Sequence, residues 1–322
     1  TATTEIYTYT ESSAASDVYK RQVGGRLQQF YHAWLNITDD RWILEVVREG
    51  YALEFEGTPP PGPVKITPAG KKNGPIRLEV AKLLEKNAIK PVPPLGGLRG
   101  RFYSTFFLRP KKTGGLRPIL NLRPLNRHLK IKYFKMDHLG SIVKSIPQNC
   151  WAVSIDLTDA YLHIPIRGSH QRFLSFAISP EEHFQFMVLC FGLRTAPRVF
   201  SKVAAIIGAV MRRLGAQIYQ YLDDWLLVNQ DRQVLERQLQ TLLNLTTSLG
   251  FIVNLEKSDL IPSKRFVYLG VLFDLEAGLL YPGEDRIVRL QEAISVILQG
   301  KAEVGDWLHF LGILASCIGI VP

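Results

Sequence analysis

The sequence has few cysteines and no long uninterrupted apolar segment, and these absences disfavour several classes of protein. Cys150, Cys190 and Cys317 are the three cysteines among 322 residues. They are scattered and odd in number, which fits a reduced intracellular protein with buried thiols better than a disulfide framework or a metal site. The most apolar segment, Trp307 to Val321, contains His309 and is shorter than the roughly 20 residues of a membrane span. It is predicted to be a core helix, and no membrane partner is expected.

Acidic residues are also scarce relative to basic ones, with 29 Asp and Glu against 39 Lys and Arg and a formal net charge of +10. A basic surface favours a polyanionic partner, either nucleic acid or an anionic membrane. The chain is long enough for one multi-lobed unit or two domains. Helices and strands alternate without regular βαβ spacing, which favours an α+β fold over a doubly wound sheet. Cytoplasmic or nuclear localisation is expected.

The first 22 residues differ in character from the rest. The stretch SSAASDVYKRQ, Ser12 to Gln22, back-translates to a sequence resembling a common tagmentation adapter read in frame. The opening TATTEIYT resembles the flow-cell adapter that precedes it. Residues 1–22 are therefore predicted to be translated sequencing adapter, disordered and outside the fold. The alternative is a polar disordered tail.

Apolar periodicity and turn residues predict the elements of the remaining chain. A Pro/Gly-rich linker is predicted near residues 57–70. Strands are predicted in 102–122, with a tight turn at Lys112–Gly115, and in 150–157 and 265–274. Helices are predicted in 25–34, from Asp39 or Asp40 to Val47, and from Pro75 to Val92 with Val80, Leu83 and Leu84 on one face. Further helices are predicted in 194–214 with Pro197 in the first turn, in 231–250 ending at Gly250, and in Glu284–Leu298 and Val304–Cys317.

Two adjacent acids interrupt the apolar run IYQYLDDWLLV, Ile218 to Val228. A buried ionised carboxylate is costly unless it is paired or bound to a metal. If Ile218–Leu222 and Trp225–Val228 are strands, Asp223 and Asp224 form their two-residue turn, and both carboxylates project from one end of the hairpin. Asp is also a common turn residue, so this pair alone is weak evidence of a site.

A third acid, Asp156, ends the apolar strand CWAVSID. Its alternative interpretation is a helix N-cap. Three carboxylates at strand ends in a basic chain indicate a divalent-metal site, because magnesium prefers carboxylate and phosphate oxygens. Two such ions can activate an attacking hydroxyl and stabilise the leaving oxygen in phosphoryl transfer.

With its apolar flanks, YLDD resembles the catalytic box of reverse transcriptases. Upstream, in the same order as in that family, stand KKTGGLRPILNLRPLN, DLTDAYLHIPI and FGLRTAPRVF, and downstream stand GFIVNLEKS and YLGVLF. These six blocks cover residues 109–273, about half of the chain. The resemblance implies a right-hand polymerase with fingers, palm, partial thumb and an antiparallel palm sheet, which copies an RNA or DNA template from a primer with dNTPs.

The tryptophan in YLDDWLL, GRLQQFYHAW before the polymerase blocks and LASCIGIVP after them resemble DIRS-like retrotransposons, which also encode RNase H and a tyrosine recombinase. The chain is therefore expected to be a polyprotein fragment lacking RNase H, with both enzymes as partners. An LTR-type element and a non-catalytic nucleic-acid-binding relic are the alternatives. The implied segments are the adapter (1–22), an N-terminal helical extension and linker (23–74), fingers and palm (75–273), and a truncated thumb-like segment (274–322).

The resemblance also implies catalytic roles. Asp156, Asp223 and Asp224 would hold two Mg²⁺ ions, with Mn²⁺ as a substitute. Lys257 would protonate the pyrophosphate leaving group, although a lysine on such a connection is often only solvated.

Substrate-binding roles are implied for a further set of residues. The basic residues of this set could instead lie on a solvated turn, the aromatic residues could be ordinary core, and the hairpin residues could serve only edge-strand packing. Lys111 is as well placed as Lys112 for the basic role. The implied contacts are Lys112 and Arg117 with the triphosphate, Leu157 and Asp159 beside it, Tyr161 under the sugar, Phe191, Gly192 and Pro197 against nucleotide and template, and Tyr268, Leu269 and Gly270 as the primer grip.

Overall fold

The computed structural model describes residues 22–60, 74–93, 100–111, 114–300 and 302–317. Lys112 and residues 1–21 of the predicted adapter lie outside these ranges. The described residues form two compact units. Unit 1 contains the described residues up to Phe134, together with Leu157–Ile206 and Leu245–Ile252, and unit 2 contains Lys135–Asp156, Ile207–Asn244 and the described residues from Val253 onward.

The α-helices of the described residues follow most of the predicted ones. Their bounds are α1 Tyr31–Leu35, α2 Arg41–Glu49, α3 Gly74–Glu85, α4 Arg123–Asn126, α5 Leu139–Ser145, α6 Ala196–Arg213, α7 Arg232–Ser248, α8 Glu284–Leu298 and α9 Val304–Ala315.

The strands of the described residues form four antiparallel sheets, in the orders β1-β6-β5, β2-β3, β7-β8-β4-β9 and β10-β11-β12. Their bounds are β1 Ile89–Val92, β2 Phe106–Pro110, β3 Leu116–Leu120, β4 Trp151–Asp156, β5 Ser175–Ala177, β6 His183–Phe186, β7 Gln217–Tyr221, β8 Asp224–Asn229, β9 Asp259–Ser263, β10 Arg265–Tyr268, β11 Val271–Asp274 and β12 Leu279–Pro282.

Unit 2 is built on the four-stranded sheet, with β8 and β4 in its centre. Alternate side chains of these strands, including Ala152, Leu226 and Val228, pack in one core with Phe266 and Phe273 of the β10-β11-β12 sheet. The period of two along each strand places one set of side chains on each face. This packing fixes the sheet edge at which β4 ends and β8 begins.

Unit 1 includes the N-terminal described residues as part of its core. Asp40 caps α2, as predicted, by accepting hydrogen bonds from the backbone N–H groups of Trp42 and Ile43. The indole of Trp34 donates to the Leu249 carbonyl and packs edge-on against Phe251. A hydrogen-bonded, fully buried tryptophan is a strong local anchor.

Three expectations about burial and element type were wrong. Leu84 is exposed, because its position on α3 lies outside the buried stripe of Ile76, Val80 and Leu83. The helix beginning at Pro75 does not continue through the following apolar residues, since Ile89–Val92 pairs with β6 as a strand.

The third wrong expectation was the apolar C-terminal helix. Val304, Trp307 and Leu308 of α9 are exposed, and the helix packs against α8 instead of entering a core. Its apolar composition predicted burial but carried no information about which elements surround it. Residues 318–321 of the predicted segment lie outside the described residues. Among the described residues, no helix has both the length and the apolarity needed to cross a bilayer.

The three cysteines are buried and free, as predicted.

Candidate active site

The hairpin carrying the paired acids differs by one residue from its predicted form. Tyr221 pairs with Asp224, so the two-residue turn consists of Leu222 and Asp223, and Asp224 is the first residue of β8. The backbone of Leu222 has φ 53°, a left-handed conformation that apolar residues rarely adopt. Turn propensity favours Asp over Leu, which explains the shifted prediction. The two acids still lie at the same end of the hairpin.

The third acid stands directly opposite this hairpin. Asp156 pairs with Asp224 at the ends of β4 and β8. The Asp156 N–H and C=O both bond on the β9 side, to Ser258 and Asn254. The pair is therefore a non-hydrogen-bonded one, in which Cα atoms are separated by about 4.5 Å and side chains approach most closely. Sheet geometry thus places two carboxylates side by side, with Asp223 in the adjoining turn.

The carboxylates influence one another's ionisation. The pKa of Asp224 is raised to about 6, first because the surrounding protein disfavours its charged form and then because Asp223 and Asp156 repel it. Desolvation also raises the pKa of Asp156, with a further contribution from Asp223. Lys257 opposes the shift in both acids through its positive charge. A divalent cation bound between such carboxylates would offset their mutual repulsion and favour their ionised forms.

A divalent cation fits this donor set by chemistry, since all three side chains supply hard oxygen ligands. Within the described ranges, no group of three His, Cys, Asp or Glu side chains already has its donor atoms at metal-binding spacing.

The hairpin predicted to grip the primer contacts the same edge of unit 2. Tyr268 is buried, and its hydroxyl donates to the Asp224 carbonyl at 2.9 Å. Leu269 and Gly270 form the turn between β10 and β11, with φ of 50° and 73°. The side chain of Tyr268 thus supports the end of β8, and the turn leaves Gly270 exposed.

Unit 1 brings three of the predicted substrate-binding residues together. The Arg117 guanidinium lies over the Phe191 ring, 4.9 Å from its centroid. Phe191 in turn lies 5.2 Å, centroid to centroid, from Tyr161, which also contacts Phe200 at 5.7 Å. Phe191 is 39% exposed, so an aromatic and cationic surface faces solvent. Such a surface suits a sugar and phosphate ligand.

Gly192 holds the β2-β3 hairpin against this surface. A Cβ at Gly192 would lie 2.1 Å from the Leu120 carbonyl oxygen, and its φ is 102°. Asn126 braces the same turn, since its amide donates to the Gly192 carbonyl at 2.8 Å and accepts from the Arg194 N–H at 3.0 Å. Pro197 occupies the first turn of α6, as predicted.

The other predicted contacts of unit 1 are more constrained. Leu157 is buried, so its side chain packs in the core and does not face a ligand. The Asp159 carboxylate pairs with Lys86 at 2.6 Å.

Three residues that hold backbone groups in place were not among the predicted site residues. In unit 2, Ser258 and Asn254 bond the backbone of Asp156. In unit 1, the fully buried His163 accepts a hydrogen bond from the Ile252 N–H at 3.1 Å. All three lie inside or beside the motif blocks, but a polar residue in a motif does not reveal which backbone group it contacts.

The fold is of the mixed α+β class, with an antiparallel sheet whose two central strands carry Asp156 and Asp224 at adjacent ends. Residues 109–273 match the reverse transcriptase (RNA-dependent DNA polymerase) family. Because this match covers half of the chain, the protein belongs to the reverse transcriptase family.

Individual proteins that the chain resembles include retroelement polyproteins. The chain is 24% identical over 222 residues to the Transposon Tf2-3 polyprotein of Schizosaccharomyces pombe, covering 67% of this chain and 15% of the polyprotein. It is 29% identical over 213 residues to the Gag-Pro-Pol polyprotein of Mason-Pfizer monkey virus, covering 63% and 12%. The chain thus spans a small part of the length of these curated relatives.

A solved structure shows the same fold. The foamy viral protease-reverse transcriptase, determined in complex with double-stranded DNA, matches with a TM-score of 0.65 and 16% identity, over 90% of this chain and 52% of that one.

Proposed function

We propose that the protein is the RNA-directed DNA polymerase of a retroelement polyprotein, which adds dNTPs to a primer 3′-hydroxyl. The hydroxyl oxygen attacks the α-phosphorus and its proton passes to solvent, while the bond to the bridging oxygen breaks and pyrophosphate leaves. The observation that carries this proposal is the close pairing of Asp156 with Asp224, with Asp223 in the adjoining turn. A structural turn alone gives no reason for a third acid opposite the other two.

The three aspartates would hold two Mg²⁺ ions, for which Mn²⁺ is a substitute. When bound, such ions lower the pKa of the attacking hydroxyl and stabilise charge on the leaving oxygen. Lys257, whose charge already acts on Asp156 and Asp224, is proposed to donate a proton to pyrophosphate.

Unit 1 is proposed to bind the nucleotide. Arg117 would grip the triphosphate with its guanidinium fork, and Lys112 would assist it. Tyr161 would lie under the sugar beside Phe191, with Gly192 and Pro197 shaping the same surface. The backbone of Leu157 and the region of Asp159 complete this proposed site, whose other substrate is a template with its primer.

The turn Leu269–Gly270 is proposed to contact the primer, with Tyr268 supporting it from the core. The net charge of +10 favours phosphate contacts whose affinity decreases as salt increases. Synthesis by such an element takes place in the cytoplasm or nucleus, which we propose as the site of action.

We further propose a DIRS-like element as the source, with RNase H and a tyrosine recombinase in the same polyprotein or locus. GRLQQFYHAW and the tryptophan of YLDDWLL support this proposal. An LTR-type element is the second candidate, favoured by the matches to Tf2 and retroviral polyproteins. Sequencing the source locus separates them: a neighbouring recombinase gene supports the first candidate, and an integrase gene between long terminal repeats supports the second.

Primer extension on an RNA template, with and without Mg²⁺, tests the activity directly. We expect dNTP-dependent extension that requires the ion. Tight primer–template binding without extension under any divalent ion would instead support the non-catalytic relic.

A further inference from the structure

The end of β4 is held by a loop that lies on the side opposite β8. The Asp156 N–H donates to Ser258 Oγ at 3.0 Å, and the Asp156 carbonyl accepts from the Asn254 N–H at 2.8 Å. The Ser258 hydroxyl donates to the Asn254 carbonyl at 2.6 Å. Both backbone groups of Asp156 therefore belong to one closed hydrogen-bonded ring with the loop Asn254–Ser258.

The Ser258 side chain takes part in this ring because the pairing of β9 with β4 ends before it reaches Asp156. β9 pairs with β4 at Ala152↔Ser263 and Ser154↔Asp259, with an irregular register between these pairs. β9 begins at Asp259, and the residue before it, Ser258, is not part of the strand. Ser258 Oγ therefore accepts from the Asp156 N–H in place of the backbone carbonyl that a longer strand would have supplied. A strand end without this acceptor would leave the Asp156 N–H unsatisfied in a half-buried position.

We propose that Ser258, together with Asn254, is a positioning residue that fixes Asp156 for metal binding. This inference rests on the proposed function of the three aspartates. The Ser258 side chain holds the Asp156 N–H, and the backbone N–H of Asn254 holds the Asp156 carbonyl. Asp156 and Asp224 are closely spaced only if the Asp156 N–H and C=O point away from β8, towards β9. The hydrogen-bonded ring with Ser258 holds them in that direction.

The Ser258 hydroxyl accepts from the Asp156 N–H and donates to the Asn254 carbonyl at the same time. The test variants differ in whether they keep both hydrogen bonds. Ser258→Ala removes both functions, and Ser258→Cys keeps the volume but offers only a weak acceptor and donor. Ser258→Thr retains the hydroxyl. A matched control exists at the other end of β9, where the Ser263 hydroxyl donates to the Arg265 carbonyl at 2.7 Å and accepts from its N–H at 3.0 Å. Ser263→Ala removes equivalent hydrogen bonds away from the acids.

The full chain is titrated with Mn²⁺ by electron paramagnetic resonance without nucleic acid, and single-nucleotide addition is measured against Mg²⁺ concentration. For Ser258→Ala and Ser258→Cys we expect Mn²⁺ affinity or the addition rate to fall about 10- to 100-fold, the usual effect of losing a partner that orients a metal ligand. Primer–template affinity should be unchanged. Ser258→Thr should restore both values, and Ser263→Ala should match wild type.

Wild-type Mn²⁺ affinity and addition rate in folded Ser258→Ala or Ser258→Cys would overturn the positioning role. An equal loss of these values in Ser263→Ala would overturn it as well. So would values in folded Ser258→Thr that stay as low as in Ser258→Ala. The Cys variant keeps the test decisive if the Ala variant does not fold. Failure of the proposed function is distinguishable, because it appears as absent extension by wild type. Mn²⁺ binding that still depends on Ser258 would then leave the positioning role standing without polymerase activity.

Discussion

At the scale of single residues, the acids of the site depend on backbone contacts that the motif does not reveal. Tyr268 bonds the Asp224 carbonyl and Ser258 bonds the Asp156 N–H. The sequence predicted the identity of the acids from their position at strand tips and from family resemblance. It could not predict that Asp156 and Asp224 form a non-hydrogen-bonded pair, because this depends on Ser258, which lies 102 residues from Asp156 in the chain.

Tyr161 offers a prediction about sugar selection. Its ring stands beside Phe191 and Phe200, which restrain it. If the deoxyribose stacks on this ring, a 2′-hydroxyl is overpacked at a cost of about 1–3 kcal/mol, or about tenfold to a hundredfold in selectivity. Tyr161→Ala should therefore admit ribonucleotides better while still adding dNTPs, and Tyr161→Phe should keep the discrimination. The measurement is the ratio of kcat/KM for dNTP and rNTP, and an unchanged ratio in Tyr161→Ala would contradict the placement.

His163 gives a prediction about stability and pH. Its Nδ1 lies 3.2 Å from the Ala160 carbonyl, and its Nε2 accepts the Ile252 N–H, so no site remains for a second proton. Burial lowers the pKa of His163 to about 4 from its ordinary 6.5. The unfolded chain therefore binds the proton more readily, and stability present above pH 6.5 is lost as the pH falls towards 4.

The expected loss through His163 is about 3 kcal/mol in the free energy of unfolding. Denaturant unfolding between pH 7 and 4 measures it. His163→Gln should be less stable than wild type at pH 7, and this difference in the free energy of unfolding should shrink as the pH falls to 4. The difference between wild type and His32→Gln, at an exposed position, should stay constant. A constant difference between wild type and His163→Gln would rule out His163 as the source.

At the scale of elements, the β2-β3 hairpin illustrates a contact that only glycine permits. Gly192→Ala would place a Cβ 2.1 Å from the Leu120 oxygen at a φ of 102°. We expect a loss of about 1–3 kcal/mol in stability from the strained backbone, with the clash in addition. Gly114→Ala is the control, because its φ is 82° but nothing lies within 4 Å of the added Cβ. Equal thermal midpoints in the two variants would show that the close approach is unimportant.

The elements were predicted where a local signal determines them. Asp40 at an N-cap and Pro197 in a first helical turn have local physical meaning, and α8 begins and ends where its periodicity indicated. β12 was missed because its four residues, alternately exposed and half-buried, carry a weak pattern. The exposed apolar face of α9 was missed because burial depends on neighbouring elements.

At the scale of the whole molecule, the predicted adapter segment has a direct test. Because residues 1–22 resemble translated adapter sequence, their deletion should leave the thermal midpoint and primer extension unchanged. Differential scanning fluorimetry and the extension assay compare the truncated and full chains. A clear fall in the thermal midpoint would show that the segment belongs to the fold.

The three aspartates at the sheet edge are proposed to catalyse RNA-templated DNA synthesis through bound divalent ions. Single-nucleotide addition on an RNA template by Asp156→Asn and Asp223→Asn, measured alongside primer–template binding, tests this role most directly. Asparagine keeps the side-chain shape but removes the charge that holds the ions. Asp259→Asn, on the neighbouring β9, controls for the loss of one negative charge. We predict that both triad variants bind primer–template but do not extend it, while Asp259→Asn extends it normally. Extension at near wild-type rates by either triad variant would show that these aspartates do not hold catalytic ions.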